Sequence, residues 1–338
     1  MKINIYFKLK DGAWGGGNQF LKAVREYLIS INAYEDDYIM ADIVLFNSHQ
    51  FLGDILKIKY KYPSKIFIHR VDGPMIHYRG GDIYLDLFLF KINSKLADGT
   101  IFQSNYSKEA CIKLGLKSNY FETTIINAPN PKIFNQKDKI KNLQGEKIRL
   151  VATSWSDNWK KGFDVYEWLD TNLDFNKYEM RFIGNTPIKF KNIKYIPPLN
   201  SEDLAKELRK SDIFITASKK DPCSNSLIEA IHSGLPVIVL NDGGHAEIIK
   251  ECGKTFDSVG EIPFLLDEIM ENYQSYVDNI NLPKMNEVGR LYFEFCKNIY
   301  TSKAYTPKKI SLSFFCKTTI EIFFEKIKNK LSYMARVK

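Results

Sequence analysis

The chain has 338 residues, a hydrophobic content of 44% and a formal net charge of +8. This length exceeds one typical domain, and the apolar content is enough for large cores, so two domains are expected. The cations are spread along the chain without a basic-aromatic module, which argues against a nucleic-acid partner. The five cysteines are odd in number and widely spaced. They argue against a disulfide framework and a zinc site and favour a reducing cytoplasm.

The first half of the chain alternates predicted strands with predicted helices. Residues 18–31 are expected to form a helix, because Leu21, Val24, Leu28 and Ile31 recur on one face. Strands are predicted at residues 2–9, 41–46, 65–68, 99–103 and 122–126. The first segment lacks the continuous apolar region of a signal peptide, and no stretch is long and apolar enough to span a bilayer. Alternation of this kind predicts a parallel, doubly wound sheet.

Two segments of this half follow predicted strands with residues that can contact a ligand. The loop 11–18 carries Gly15, Gly16 and Gly17 between the first strand and the first helix, where parallel sheets bind ligands. Its glycines do not match the dinucleotide fingerprint in a convincing register. His69 is expected to end the strand at residues 65–68, where a histidine taken alone is more often a hydrogen-bonded structural residue than a ligand contact.

A polar, charged segment at residues 135–145 predicts a linker between the two halves. A second series of strands is predicted after it, at residues 147–153, 180–183, 193–196, 213–216 and 237–240. The sequence therefore predicts two Rossmann-like domains that face each other across a cleft.

The segment from Ser211 to Ile249 has the strongest functional pattern in the chain. After the predicted strand 213–216 it carries Asp221, then the helix-capping residues Ser224 and Asn225, and then a helix that ends at Gly234. Free N–H groups at the start of that helix favour an anion such as a phosphate. Glu229, about one turn into the helix, is placed to accept hydrogen bonds from sugar hydroxyls. A simple helix cap with a solvated glutamate is the alternative.

This segment resembles the donor-binding half of glycosyltransferase family 4, which comprises retaining enzymes with the GT-B fold. The family pattern is Glu-x7-Glu, then a Gly-x-Pro-Val-Ile strand and a Gly-Gly turn ahead of a glutamate. The chain has every part except the first glutamate, which is replaced by Asp221. The resemblance covers roughly residues 1–300 and implies an α/β protein with two Rossmann-like, doubly wound parallel-sheet domains.

The resemblance also implies roles for individual residues. It implies contacts with the donor diphosphate for Gly16, Gly17, Lys161 and the backbone of Ser224, Asn225 and Ser226. It implies that Glu229 binds the ribose and that Asp221 and His69 contact the transferred sugar as catalytic-site residues. The arginine that usually accompanies Lys161 is absent, so Lys160 or the 224–226 segment is expected to compensate.

These residues predict a metal-independent retaining glycosyltransferase that needs no cofactor. Its expected partners are a nucleotide diphosphate-sugar donor and a glycan or lipid-linked acceptor, in cell-surface polysaccharide or glycoconjugate synthesis. The resemblance implies that there is no protein nucleophile and that the leaving phosphate helps to deprotonate the acceptor. Two alternatives stay open: a catalytically degenerate nucleotide-binding scaffold and a sugar-nucleotide epimerase of the same fold.

The predicted domain division is 1–135 for the acceptor side, 136–146 for the linker, 147–282 for the donor side and 283–338 for a C-terminal extension. The extension is expected to begin with a helix that crosses back to the first domain. The tail after residue 307 mixes aromatic residues with lysines and arginines. It either packs on the first domain or lies on an acidic membrane surface, which would make a cytoplasmic protein peripheral to the membrane.

Overall fold

The computed structural model describes residues 1–12, 14–78, 80, 83–140, 146–303 and 305–336, with side chains described as far as residue 324. Part of the predicted linker therefore lies outside the described residues. The N-terminal half folds around a sheet in which every strand is parallel to its neighbours, in the order β1-β2-β3-β4-β5. Its strands are β1 (Ile3–Tyr6), β2 (Ile43–Asn47), β3 (Ile66–Val71), β4 (Gly99–Phe102) and β5 (Phe121–Thr124). Its helices are α1 (Gly16–Ser30), α2 (Leu52–Lys61), α3 (Met75–Tyr78), α4 (Tyr84–Leu96) and α5 (Asn105–Lys113).

The direction of winding changes at β1. After α1, the chain pairs once with the outer edge of β1, through the bridge between Ile3 and Tyr34, and then crosses to form β2 on the other side. The apolar face of α1 packs in the core on one side of the sheet, and α2 and α4 pack on the other. A crevice therefore opens beyond the carboxyl end of β1, where the loop to α1 begins.

The C-terminal half is a second parallel sheet, in the order β11-β10-β9-β6-β7-β8. Its strands are β6 (Ile148–Ser154), β7 (Tyr178–Gly184), β8 (Lys194–Ile196), β9 (Ile213–Thr216), β10 (Val237–Leu240) and β11 (Gly253–Phe256). Its helices are α6 (Phe163–Asn172), α7 (Ser201–Arg209), α8 (Asn225–His232), α9 (His245–Ile249), α10 (Ile262–Glu271) and α11 (Tyr273–Asp278). The winding reverses between β6 and β9, so the loops after these two strands face the first domain. The predicted α/β architecture of two doubly wound parallel sheets is confirmed.

Two helices follow the second sheet, α12 (Met285–Thr301) and α13 (Leu312–Arg336). The buried side of α12 joins the core beneath α1, where a Cβ at Gly289 would lie 2.3 Å from the Tyr27 ring. In α13, Phe315 stacks on Tyr60 of α2 at 4.5 Å between ring centroids. The first turns of α13 thus dock on the first domain.

The membrane alternative for the tail stays a prediction. Ile320, Phe323 and Phe324 of α13 are each more than half exposed and are the described apolar side chains that such a contact would use. Within the described part of the chain, no helix combines the length and apolar character needed to cross a membrane.

A buried carboxylate anchors this C-terminal extension. Asp98 is paired with Lys59 at 3.0 Å, and neither side chain is exposed. Its second oxygen accepts hydrogen bonds from the Tyr305 hydroxyl and the Lys308 amide, both at 2.7 Å. The pair therefore connects the sheet, α2 and the segment between α12 and α13.

Replacing Asp98 with asparagine should destabilise the whole chain by about 3–5 kcal/mol, because the charge of Lys59 would be left buried without its partner. Urea unfolding followed by circular dichroism measures the loss. The control is Glu321→Gln, which removes the half-exposed ion pair with Lys91 and should cost about 1 kcal/mol or less. Similar losses for the two variants would contradict the anchoring role of Asp98.

Candidate functional site

A cleft of about 620 Å³ lies between the two domains, at the carboxyl ends of both sheets. Eight of the nine predicted site residues line this cleft, from both sides. They are Gly16, Gly17, Lys161, Asp221, Ser224, Asn225, Ser226 and Glu229. The structure therefore brings together residues that are separated by as many as 213 positions in the chain.

Lys161 and Asp221 form an ion pair in the cleft. The Lys161 Nζ lies 2.8 Å from Asp221 Oδ2. Burial acts to raise the pKa of Asp221, but the charge of Lys161, with smaller contributions from His245 and from hydrogen bonds, outweighs it and holds this pKa below its usual value. Asp221 is therefore an ionised hydrogen-bond acceptor, and Lys161 is a cation held at the cleft wall.

Lys161 owes its position to a turn that requires glycine. The residue after it, Gly162, has a φ of +82°, and a Cβ there would lie 2.3 Å from the carbonyl oxygen of Ala217. The short 3-10 turn Trp159–Lys161 is capped by the side chain of Asn158. These contacts hold the loop after β6 against the end of β9.

Helix α8 points its N-terminus into the cleft. Ser224 is its N-cap and accepts a hydrogen bond from the Leu227 amide, which leaves amides of the first turn available to an anion. The start of α1 lies directly opposite, because a Cβ at Gly16 would be only 2.3 Å from the Cβ of Asn225. Two helix N-termini thus meet at one point of the cleft.

Glu229 has a buried carboxyl group that lacks both a cation and a hydrogen-bond donor among the described residues. Its residue is 8% exposed, and none of the described residues forms a hydrogen bond or an ion pair with its carboxylate. Burial alone raises its pKa to about 8. A ligand with hydroxyl groups would supply the missing donors, so this site is suited to a sugar diol.

The Gly-Gly turn supports Asp221 rather than lining the cleft. Gly243 has a φ of +66°, and a Cβ there would lie 2.4 Å from the Asp221 carbonyl oxygen. The Gly244 amide donates to that same oxygen at 2.9 Å. Glu247, just beyond the turn, accepts hydrogen bonds from the amides of Asn105 and Tyr106 at the start of α5, at 3.0 and 2.9 Å. The turn therefore fixes the Asp221 loop and connects it to the first domain.

Lys160 is a candidate to replace the missing arginine beside the diphosphate, but its side chain contacts backbone carbonyl groups of the first domain. Its Nζ donates across the cleft to the carbonyl oxygens of Ile76, at 3.0 Å, and His77. It joins the two domains, whereas Trp155 and Ser156 line the cleft where the family has the arginine.

His69 is the predicted residue that the structure does not bring to the cleft. Strand β3 continues to Val71, so His69 lies inside the sheet, in register with Phe46 and Thr100. The residue is fully buried, its ring stacks on Phe46 at 4.2 Å, and its two nitrogens contact the Ser48 carbonyl oxygen and the Asn93 amide, each at 3.0 Å. Burial lowers its pKa to about 4. His69 is a structural histidine here, and its position does not support the predicted sugar contact.

Asp72, the residue directly after β3, does line the cleft. The fully buried Arg70 donates to it at 2.7 Å and to Asn47 and Gln103 as well. Asn127 extends this network across the interface, since its amide donates to the Asn225 side chain at 3.0 Å. Sequence reasoning missed this cluster. The available signal was the charged pair Arg70 and Asp72 at the end of an otherwise apolar strand.

Metal-binding geometry does not appear among the described residues, in which no three His, Cys, Asp or Glu side chains are grouped closely enough to hold an ion. The polar groups of the cleft include lysines, carboxylates and helix-terminal amides. These are groups that bind phosphates and hydroxyls directly.

Comparisons with known proteins agree with this geometry. The sequence model of the family described as glycosyl transferases group 1 matches residues 188–258, which contain Asp221 and Glu229. Spore coat protein SA of Bacillus subtilis is 25% identical over 116 residues, a match that takes in 34% of this chain and 28% of that protein. The matched region is thus about a quarter of the curated relative.

The fold is shared with solved structures over nearly the whole chain. HepE from Anabaena, in complex with UDP and glucose, has a TM-score of 0.67 at 11% identity, covering 89% of this chain and 99% of that one. Sucrose-phosphate synthase from Thermosynechococcus elongatus has a TM-score of 0.58 at 12% identity, covering 94% and 79%. The chain therefore has the GT-B fold, and residues 188–258 of its second domain match the model of glycosyl transferases group 1.

Proposed function

We propose that this protein is a retaining glycosyltransferase of family 4 that transfers a sugar from a nucleoside diphosphate sugar to a hydroxyl acceptor. One observation carries the proposal: Lys161, the N-terminus of α8 and the uncompensated Glu229 converge on one cleft. A cation and helix amides suit a diphosphate, and a buried carboxylate suits a diol. The HepE complexes hold UDP, glucose or UDP-glucose, so UDP-glucose is the first donor to try.

The arrangement assigns the steps of the reaction to named groups. The diphosphate lies between the Gly16–Gly17 start of α1 and the start of α8, with Lys161 stabilising the charge that develops as the sugar leaves. Asp221 accepts hydrogen bonds from the transferred sugar. Attack on the same face by the acceptor, deprotonated with help from the leaving phosphate, gives retention without a protein nucleophile. The Lys160 and Glu247 contacts hold the domains together and limit hydrolysis.

The test is incubation with UDP-glucose and other common nucleotide sugars, with and without EDTA, together with a mixture of simple glycan acceptors. We expect nucleoside diphosphate to be released only when an acceptor is present. With an α-linked donor, the NMR signal of the anomeric proton should show that the product is also α-linked. An altered donor sugar without any acceptor would favour the epimerase. Nucleotide binding without any turnover would favour the degenerate scaffold, for which the replacement of glutamate by Asp221 is the supporting observation.

Replacing Lys161 with methionine should weaken binding of a nucleoside diphosphate about tenfold to a hundredfold, because a charge-assisted hydrogen bond to phosphate is lost. Titration calorimetry with UDP measures the change, and binding of uridine alone should stay the same.

The control is Lys219→Met. Lys219 pairs with Asp164 on the exposed surface. Its replacement should leave UDP binding unchanged. Equal affinities of wild type and Lys161→Met for UDP would contradict the assignment of Lys161 to the diphosphate.

A further inference from the structure

A second concavity, of about 510 Å³, lies on the N-terminal domain beside the cleft. We call it the β1 groove and define it by residues 4–9 with Arg25, Tyr34, Asp36, Tyr38, Phe51 and Asp54. It exists because, among the residues that the structure describes, the outer edge of β1 is paired at Ile3 alone, through the bridge to Tyr34. Beyond that bridge the edge of the strand and the loop after it are uncovered.

One wall of the groove is aromatic and is held in a fixed arrangement. Tyr6 makes edge-to-face contacts with Tyr38, at 5.6 Å between ring centroids, and with Phe51, at 6.1 Å. Phe7 contacts Phe51 in the same way, at 6.1 Å. Phe51 is 38% exposed and has a φ of +57°, a left-handed conformation that is costly for a bulky residue. The loop before α2 thus holds this ring at the mouth of the groove.

The polar groups of the groove include acceptors that lack donors. Asn4 is 4% exposed, and its amide donates to the carbonyl oxygens of Glu35 and Asp36, both at 2.9 Å. Its own oxygen Oδ1 has no hydrogen-bond partner among the described residues. The exposed carboxylate of Asp54 likewise has no ion pair or hydrogen bond with any described side chain. A ligand that fits this groove should bring O–H donors together with an apolar face.

The groove adjoins the cleft, because Phe7 and Lys8 line both. A chain-like ligand whose end reaches the cleft would therefore pass over Phe7 into the groove. Sugar rings match the lining, since their C–H faces pack on aromatic rings while their hydroxyls donate to carboxylate and amide oxygens.

We propose that the β1 groove binds a sugar unit of the acceptor several bonds away from the reacting hydroxyl, which makes the acceptor an oligosaccharide. The inference rests on the proposed function, because the cleft must hold the reacting end. A lipid chain is the less favoured occupant, since it would desolvate Asp54 and leave Asn4 Oδ1 without a donor.

The test compares wild type with Phe51→Gly and Asp54→Asn on an array of defined oligosaccharides of one to six units. Glycine suits the φ of +57° at residue 51, so this variant removes the ring without adding backbone strain. The control is Tyr120→Ala, which removes an 81% exposed ring outside the groove. UDP binding of every variant is measured in parallel.

The expected result is binding of oligosaccharides longer than two units, weakened about tenfold in Phe51→Gly and several-fold in Asp54→Asn. Tyr120→Ala should bind glycans like wild type, and all four proteins should bind UDP equally. Absence of glycan binding by wild type, or equal glycan binding by wild type and both groove variants, would overturn the proposal. Binding of polyprenyl phosphate in detergent that Phe51→Gly abolishes, without glycan binding, would replace it with the lipid alternative. If wild type did not bind UDP, this result would instead count against the proposed function.

Discussion

Gly16→Ala should reduce transfer activity about a hundredfold, because it separates the two helices that face each other in the cleft. A Cβ at residue 16 would lie 2.3 Å from the Cβ of Asn225, more than 1 Å inside ordinary van der Waals contact. The obstacle is close to the backbone of α8 and cannot rotate away. Asn225 also accepts a hydrogen bond from Asn127 across the interface, so displacement of α8 would break that contact too. Steady-state kinetics and the affinity for UDP measure the effect.

Gly17→Ala is the matched control, since a Cβ at residue 17 meets nothing within 4 Å. Alanine is also the better helix former, so the melting temperature should stay the same or rise slightly. Loss of UDP binding by Gly17→Ala with an unchanged melting temperature would place the diphosphate directly against this residue. In the double variant Gly16→Ala/Asn225→Gly the clashing carbon is absent but the hydrogen bond from Asn127 is lost as well, so activity should recover only in part. If the single variant Gly16→Ala had the same kinetics as wild type, the close approach of α1 and α8 in the active protein would be contradicted.

The affinity for the nucleotide should rise with pH, by about tenfold per unit below pH 8, because binding requires ionised Glu229. Burial raises the pKa of this carboxyl to about 8 in the free protein, so most of it is protonated at pH 7. Hydroxyl groups of a bound diol would donate to the carboxylate and lower its pKa, so the complex releases a proton. Calorimetry at pH 7 in buffers of different ionisation enthalpy detects this proton.

Glu229→Gln tests the same group in two ways. The variant should bind UDP weakly and without the pH dependence below pH 8. The ligand-free wild type should also lose stability as the pH rises from about 5 to 8, because the folded state holds a proton that the unfolded state releases. The variant should lack this contribution and should melt higher than wild type at pH 8. If UDP affinity and melting temperature changed with pH in the same way in wild type and variant, Glu229 would not be the group responsible for the pH dependence.

The sequence predicted most of the strands because each is a short apolar run between polar residues. The helix predicted between Ser224 and Gly234 is α8, which begins at Asn225 and ends at His232. The strand at 2–9 was predicted too long. Residues after Tyr6 leave the sheet, and a period-2 pattern continues there although no neighbouring strand pairs with it.

His69 shows where local pattern fails. The apolar run ends at Ile68, which suggested that the strand ended there, but β3 extends to Val71. Arg70 inside this strand is tolerated because Asn47, Gln103 and Asp72 accept its hydrogen bonds. Only the folded chain brings these acceptors from different strands and loops to one guanidinium, so the sequence pattern could not reveal that the cleft receives Asp72 rather than His69.

The sequence by itself determined the two parallel-sheet domains and the cluster of donor-side residues, because capping, glycine turns and apolar runs are local in the chain. The tertiary structure decided what these residues face. It paired Lys161 with Asp221, left Glu229 without a donor, used Lys160 to join the domains and opened the β1 groove. These outcomes depend on distances between residues far apart in sequence, and those distances are fixed only when both sheets and the crossing helix pack together.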